Sequence, residues 1–165
     1  MKTMQISIPI EVFQPEDPLL PAEDRMLIEQ AKEAAKTSYA PYSKFHVGAA
    51  LRLADDTIVK GSNQENAVYP VGCCAERTAL YYAGTQYPHV PVEAIAVAVW
   101  RELDGKFMAH PASPCGVCRQ HLVETEQRHG KKIRVILYGT DEIFVLQSAS
   151  TLLPLTFTGD ELTKI

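Results

Sequence analysis

Apolar and polar residues follow different periods along the chain, and each period predicts a type of element. Apolar positions recur at helical spacing over residues 21–38, where acidic residues occupy the first turn, as in an amphipathic helix. The segments at 74–83 and 115–128 are further helical candidates. Runs rich in β-branched and other apolar residues predict five strands, at residues 45–54, 57–61, 94–100, 133–138 and 143–146.

The order of these elements is helix, hairpin, helix, strand, helix, strand, strand. A mixed sheet with helices on both faces buries the apolar side of every element. We therefore expect an α/β fold with three α-β-α layers and one mixed five-stranded sheet. In the first twenty residues, every second position from Ile6 to Val12 is apolar and three prolines follow. This pattern predicts an N-terminal arm at residues 1–20, which could supply an edge strand, before a single domain at residues 21–165.

Size and charge restrict the functions open to this domain. The chain has 165 residues, of which 46% are apolar, and a domain of this length buries roughly 70% of the surface that its unfolded chain exposes. It can therefore fold without a structural metal, so we expect any metal site to serve chemistry. The formal net charge of -4 and the single short basic run argue against a nucleic-acid partner.

The sequence also bears on the compartment. No run approaches the ~20 apolar residues of a membrane span, so we expect no membrane partner. Glu11, Glu16 and Asp17 lie where a signal peptide needs an apolar core, so we expect a cytoplasmic protein. In a reducing compartment the four cysteines are expected to be metal ligands, catalytic groups or core residues rather than disulfides.

Three of the cysteines lie at the starts of predicted helices, Cys74 at one and the Cys115-x-x-Cys118 pair at another. Helix N-termini carry partial positive charge, which lowers thiol pKa and favours thiolates near a cation. Three thiolates could hold Zn²⁺ and leave a fourth position for water, close to Glu76, which could exchange protons with that water. The same spacing also fits a redox pair or buried cysteines acting as small apolar side chains, and it does not rank Cys74 against the adjacent Cys73.

Separated motifs strengthen the zinc interpretation. Asn-Gln-Glu-Asn at 63–66, Cys-Ala-Glu-Arg at 74–77 and Pro-Cys-Gly-Val-Cys-Arg-Gln at 114–120 occur in one chain. The last two match the signature of the zinc-dependent deaminases, a metal ligand, any residue and a glutamate followed by Pro-Cys-x-x-Cys. More narrowly, the chain resembles the short-chain, homotetrameric cytidine deaminases over about residues 22–162. The resemblance implies that residues 21–165 form a single zinc-dependent deaminase domain, which follows the arm at residues 1–20.

The resemblance implies one Zn²⁺ per subunit, bound by Cys74, Cys115 and Cys118, with Glu76 as the proton shuttle. If Glu76 is the proton shuttle, the zinc ligand is the cysteine two residues before it, Cys74. Cys73 is then a neighbouring residue that can be replaced. Arg77 resembles the family arginine that hydrogen-bonds the cysteine sulfurs. Such an arginine would offset the net negative charge of three thiolates on one dication.

The substrate contacts follow from the same resemblance. Asn63 and Glu65 would bind the ribose, Phe45 would pack against the pyrimidine ring, and the backbone of Ala75 and of Ser113 would contact the base and the departing ammonia. Residue type alone would instead suggest a turn with a solvated glutamate at 61–65 and a core phenylalanine at 45.

The implied reaction is hydrolytic deamination of cytidine and deoxycytidine to uridine and deoxyuridine plus ammonia, by a zinc-activated hydroxide. In the family, neighbouring subunits complete each site, and Tyr69 and Phe157 resemble the contributing residues, so we expect a homotetramer. Two alternatives stay open, a deaminase of another aminopyrimidine nucleoside and a non-catalytic structural zinc-binding module. Residues 101–110 depart from the family pattern and look like an extended hairpin, and His110 is not needed as a ligand.

Overall fold

One mixed sheet forms the centre of the computed structural model, which describes residues 1–163. Its strands are β1 (Glu11–Phe13), β2 (Phe45–Leu53), β3 (Ile58–Ser62), β4 (Val92–Arg101), β5 (Lys106–Phe107), β6 (Arg134–Tyr138) and β7 (Ile143–Leu146). Their order is β1-β7-β6-β4-β2-β3, and β5 pairs with the end of β4. Strands β4 and β6 are parallel and the other pairs are antiparallel.

Three long helices flank the sheet, α1 (Ala22–Ala35), α2 (Ala75–Gln86) and α3 (Gly116–His129). Their ends fall within three residues of those predicted from the sequence. Helix α3 stops at Gly130, whose left-handed φ of 61° is readily adopted by glycine. Shorter elements are the 3₁₀ turns Tyr69–Val71 and Ala149–Leu152 and a C-terminal turn of helix, α4 (Asp160–Thr163). No helix among residues 1–163 is both long and apolar enough to cross a membrane.

Alternate side chains of the sheet enter two separate apolar clusters, one on each face. On β4, Ile95 and Val97 pack with residues of α2 and α3, such as Leu80 and Leu122. The alanines between them, such as Ala96, face α1 instead. This alternation confirms the predicted α-β-α arrangement, because a strand buried on both faces presents successive side chains to opposite layers.

Glycines allow α1 and α2 to approach the sheet closely. A Cβ atom on Gly48 of β2 would lie 2.0 Å from the carbonyl oxygen of Ala31 in α1. On the other face, a Cβ atom on Gly61 of β3 would lie 2.5 Å from the carbonyl oxygen of Ala75 in α2. Both distances are well inside van der Waals contact. Gly61 therefore sets the distance between β3 and the N-terminus of α2.

The predicted count of five strands was wrong, since the sheet has seven. The additional strands, β1 and β5, have three and two residues, too few for a periodic pattern to identify. Strand β1 is the edge strand anticipated in the arm, and it pairs with β7. Strand β5 forms the hairpin anticipated at residues 101–110. The alternation from residue 6 to residue 10 does not correspond to a strand in the described chain.

Candidate active site

The N-termini of α2 and α3 bring three cysteines together. Cys74 is the N-cap residue of α2, Cys115 is the N-cap residue of α3, and Cys118 lies one turn into α3. The Sγ atom of Cys115 lies 3.8 Å from that of Cys74 and 3.4 Å from that of Cys118. All three Sγ atoms lie within 4.8 Å of one another. Sulfurs bound tetrahedrally to zinc at ~2.3 Å would be about 3.8 Å apart, so the cluster fits one zinc ion.

One arginine side chain lies against this cluster. The Nη2 atom of Arg77 lies 3.6 Å from the Cys74 Sγ and donates a hydrogen bond to the carbonyl oxygen of Gly72 at 3.3 Å. Hydrogen bonds from Cys118 and Arg77 lower the pKa of the Cys74 thiol despite its partial burial. The proton shared with Cys74, together with burial, raises the pKa of Cys118. Within this hydrogen-bonded pair, the lowered pKa favours the thiolate form at Cys74 and the raised pKa favours the thiol form at Cys118.

Glu76 lies in the first turn of α2, two residues after Cys74, and is only 4% exposed. Burial is the main cause that raises the pKa of its carboxyl group. A carboxyl group with a raised pKa both accepts and releases a proton more readily near neutral pH than an exposed one. The helix thus places a metal-binding thiol and a group suited to proton transfer on the same wall.

That wall belongs to a cavity of about 490 Å³, a size typical of small-molecule sites. Seven of the predicted site residues line it, namely Phe45, Asn63, Glu65, Cys74, Glu76, Ser113 and Cys115. Five lining residues were not predicted from the sequence, namely Ser43, Val47, Val97, Val99 and Ala112. Val47 shares a sheet face with Phe45 and pairs with Val99, so the strand register would have identified both.

Asn63 and Glu65 line the cavity, and both are already hydrogen-bonded to backbone groups. The Asn63 side chain accepts from the N–H of Val47 at 2.8 Å and donates to the carbonyl of Phe45 at 2.9 Å. One oxygen of Glu65 accepts from the N–H of Tyr42 at 2.9 Å, and the Ser43 hydroxyl is the main cause that lowers the pKa of this carboxyl group. An amide has two N–H donors, so Asn63 keeps one for a ligand.

Three predicted substrate contacts do not line the cavity of their own chain. Tyr69 is 76% exposed on the 3₁₀ turn Tyr69–Val71 and makes an edge contact with Tyr42. Phe157 is 58% exposed, and its carbonyl accepts a hydrogen bond from the Gln120 side chain at 2.8 Å. Ala75 begins α2, and its side chain is fully buried and does not line the cavity.

Cys73 and His110 both lie outside the thiol cluster. Cys73 is half-buried, and its backbone pairs with that of Gln64 through hydrogen bonds of 2.8 and 2.9 Å. His110 contacts the carboxylate of Glu142 at 3.0 Å through Nδ1. The cysteine cluster found among residues 1–163 contains neither of them.

Comparisons with known proteins agree with this geometry. The family model described as "Cytidine and deoxycytidylate deaminase zinc-binding region" matches residues 21–131. The chain is 39% identical to a cytidine deaminase of Halalkalibacterium halodurans, over 84% of this chain and 96% of the relative. It is 33% identical to a probable cytidine deaminase of Dictyostelium discoideum, over 82% of this chain and 84% of the relative.

Solved structures give the same result. The crystal structure of cytidine deaminase from Burkholderia pseudomallei matches with a TM-score of 0.68 and 40% identity, over 80% of this chain and 97% of that one. The crystal structure of cytidine deaminase from Mycobacterium tuberculosis matches with a TM-score of 0.61 and 29% identity, over 83% of this chain and 98% of that one. Fold and site therefore define a zinc-dependent hydrolytic deaminase. The chain belongs to the cytidine and deoxycytidylate deaminase family.

Proposed function

We propose that the protein deaminates cytidine and deoxycytidine hydrolytically, giving uridine and deoxyuridine plus ammonia. The observation that carries the proposal is the position of Glu76, a buried carboxyl group that lines the same cavity as Cys74 and Cys115, two of the three clustered thiols. The names of the relatives support the choice of nucleoside.

We propose that the cavity binds the nucleoside at two ends. The Phe45 ring would pack on the pyrimidine, since it lies on the apolar wall with Val47 and Val99. The remaining N–H of Asn63 and the carboxylate of Glu65 would bind sugar hydroxyls. A site that hydrogen-bonds a hydroxyl strongly rejects analogues that lack it. The backbone of Ala75 and Ser113 would contact the base and the departing ammonia.

Cys74, Cys115 and Cys118 would hold one zinc ion, which lowers the pKa of a coordinated water toward ~7 and so makes a nucleophile available at neutral pH. Glu76 would accept a proton from the attacking water and deliver it to N3 of the base. After attack at C4, Glu76 would take the remaining proton from the new C4 hydroxyl and pass it to the amino group, so that the C4–N bond breaks and ammonia leaves. Arg77 would limit the negative charge on the sulfurs through its contact with Cys74.

The assembly and location that we propose follow the family. Residues 21–165 would form one deaminase domain after an arm at residues 1–20; residues 164 and 165 lie outside the described residues. Four chains would assemble, with the exposed Tyr69 and Phe157 of neighbouring chains completing each site. The unpaired cysteines suit the reducing cytoplasm. The partner would be a small nucleoside, with no nucleic acid or membrane required.

The direct test is to incubate the purified protein with cytidine, deoxycytidine and their monophosphates. Ultraviolet absorbance and ammonia release would be followed together. We expect turnover of both nucleosides. Turnover of only another aminopyrimidine nucleoside would replace the substrate assignment, and zinc binding without turnover of any nucleoside would indicate a structural zinc module.

A further inference from the structure

A guanidinium group of α3 connects the cysteine-bearing loop to the C-terminal part of the chain. The Nε atom of Arg119 donates to the carbonyl oxygen of Pro114 at 2.8 Å, and Nη1 donates to the carbonyl oxygen of Leu152 at 2.9 Å. The side chain of Arg119 is partly buried. Both acceptors are backbone atoms, so the contact fixes the position of two chain segments rather than forming an ion pair.

The first of these segments forms part of the cavity wall. Pro114 is buried, and the residues on either side of it, Ser113 and Cys115, line the cavity. The Pro114 carbonyl belongs to the peptide unit that leads into Cys115, the N-cap residue of α3. Its orientation therefore influences where the Cys115 sulfur lies relative to Cys74 and Glu76.

The second segment is itself anchored firmly to α3. Leu152 ends the 3₁₀ turn Ala149–Leu152. The buried carboxylate of Glu126 accepts from the backbone N–H of Ala149 at 2.8 Å and from the Ser148 hydroxyl at 3.0 Å. This turn thus offers Arg119 a rigid point of attachment. A flexible partner would transmit no positional constraint to Pro114.

We propose that Arg119 is a positioning residue that holds the Ser113–Cys115 wall in register with Cys74 and Glu76 by bracing it against the turn at Leu152. The proposal rests on the proposed function in assigning the three cysteines to zinc. Arginine suits this role because its planar group presents several N–H donors in a fixed geometry. Lysine has the charge and donors but no rigid fork, so it would hold the two carbonyls poorly.

The geometry predicts which kinetic constant depends on Arg119. The expected sugar and ring contacts come from Phe45, Asn63 and Glu65 on β2 and beyond the end of β3, which Arg119 does not touch. A displaced Cys115 would instead disturb the alignment of the reacting groups. Loss of Arg119 is therefore expected to lower kcat by a larger factor than it raises KM, because only the contacts of Ser113 and Phe157 among the expected ground-state contacts lie on the segments that Arg119 holds.

The test compares Arg119→Met and Arg119→Lys with Arg128→Met as a matched control. Arg128 lies on the same helix and donates to a backbone carbonyl, that of Pro88 at 3.4 Å, far along the chain from the cysteines. Zinc release from the holoprotein to the chelator 4-(2-pyridylazo)resorcinol is measured without substrate. Hydrogen exchange of residues 149–157 is measured on the same samples, together with kcat and KM for cytidine.

Arg119→Met is expected to release zinc at least about tenfold faster than the unsubstituted protein, since groups that orient metal ligands commonly change affinity by ~10- to 100-fold. It should also lose protection at residues 149–157 and lose kcat at least about tenfold. Arg119→Lys should be intermediate, and Arg128→Met should match the unsubstituted protein in zinc release.

Equal zinc release from Arg119→Met and Arg128→Met would overturn the proposal, as would a loss confined to KM. If Arg119→Met does not fold, Arg119→Lys decides: unchanged zinc release with unchanged kcat rejects the role. Zinc release and hydrogen exchange need no substrate. Failure of the unsubstituted protein to turn over cytidine would therefore reject the proposed function and leave these two measurements of Arg119 valid.

Discussion

At the scale of single residues, position in a helix turn separates side chains that the sequence places next to each other. Cys73 and Cys74 are adjacent, yet only Cys74 is the N-cap residue of α2, with its sulfur 3.8 Å from that of Cys115. Cys73 is instead tied by its backbone to Gln64. Glu76 follows in the first turn and is buried beside the cluster. Cys74 and Glu76 therefore line the cavity while Cys73 does not, and each residue can be tested separately.

Replacing Glu76 is expected to remove turnover while leaving the metal site. Glu76→Ala should bind zinc normally and lose activity by at least ~10² to 10⁴, because a general acid and base commonly contributes that much and this residue would serve several transfers. Zinc content by atomic absorption and initial rates with cytidine would be measured. Glu76→Gln is the isosteric control for packing and should be equally impaired. A rate close to that of the unsubstituted protein would remove Glu76 from the mechanism.

The two adjacent cysteines should differ in metal content. Cys74→Ala removes one of the three clustered thiols and is expected to purify with little zinc and little activity. Cys73→Ala should retain about one zinc per chain and full activity, because its sulfur lies outside the cluster. Metal analysis of the two purified variants compares them directly. Zinc loss from Cys73→Ala would mean that the ligand assignment is wrong.

At the scale of elements, the close packing of β3 against α2 positions the two site residues at the start of α2, Cys74 and Glu76. A Cβ atom added to Gly61 would lie 2.5 Å from the backbone nitrogen of Ala79 and from the carbonyl of Ala75. Helix α2 would have to move, and it carries both Cys74 and Glu76. The asparagine amide at residue 63 has a similar role, since it joins the end of β3 to two backbone groups of β2.

Gly61→Ala is therefore expected to lower the free energy of unfolding by roughly 1–3 kcal/mol, the usual cost of overpacking, and to weaken zinc retention. For a chain of this size that corresponds to a fall in Tm of roughly 2–12 °C. Thermal unfolding followed by circular dichroism would measure it. Gly84→Ala, within α2, is the control: its Cβ would meet only Arg128, at 3.6 Å. It should raise stability by roughly 0.5–1 kcal/mol. Equal Tm values for the two variants would refute the steric explanation.

At the scale of the whole molecule, several large apolar side chains remain exposed. Tyr69, Val117, Leu155 and Phe157 are each more than half exposed. Exposed aromatic side chains such as Tyr69 and Phe157 are common at protein interfaces. The cavity of one chain, with Tyr69 and Phe157 outside it, is therefore consistent with a site that other chains complete.

We expect sedimentation equilibrium to give four times the chain mass of 18.3 kDa. Two inactive variants should also complement each other. Mixed assemblies of Glu76→Ala and Phe157→Ala would contain sites with an intact Glu76 from one chain and an intact Phe157 from another. Activity above that of either variant alone would support shared sites. A fully active monomer would reject the assembly.

The sequence was sufficient for the features that depend on local spacing. Helical and strand periods gave the three long helices and five of the seven strands, because burial of one face imposes a period on the residues that form it. The motifs at 63–66, 74–77 and 114–120 gave the cysteine set and Glu76. Strands β1 and β5 were too short to produce a period, and their pairing depends on β7 and β4.

Only the tertiary structure decided how distant segments meet. The cavity walls at Val97, Val99 and Ala112 follow from the order of strands in the sheet, which no local pattern contains. The same is true of Arg119, whose two acceptors lie 5 and 33 residues away along the chain. Sequence spacing specifies residues that share one element, whereas contacts between elements depend on packing that involves the whole chain. For this protein, sequence spacing determined which chemical groups are available, and packing between elements determined the cavity in which those groups lie.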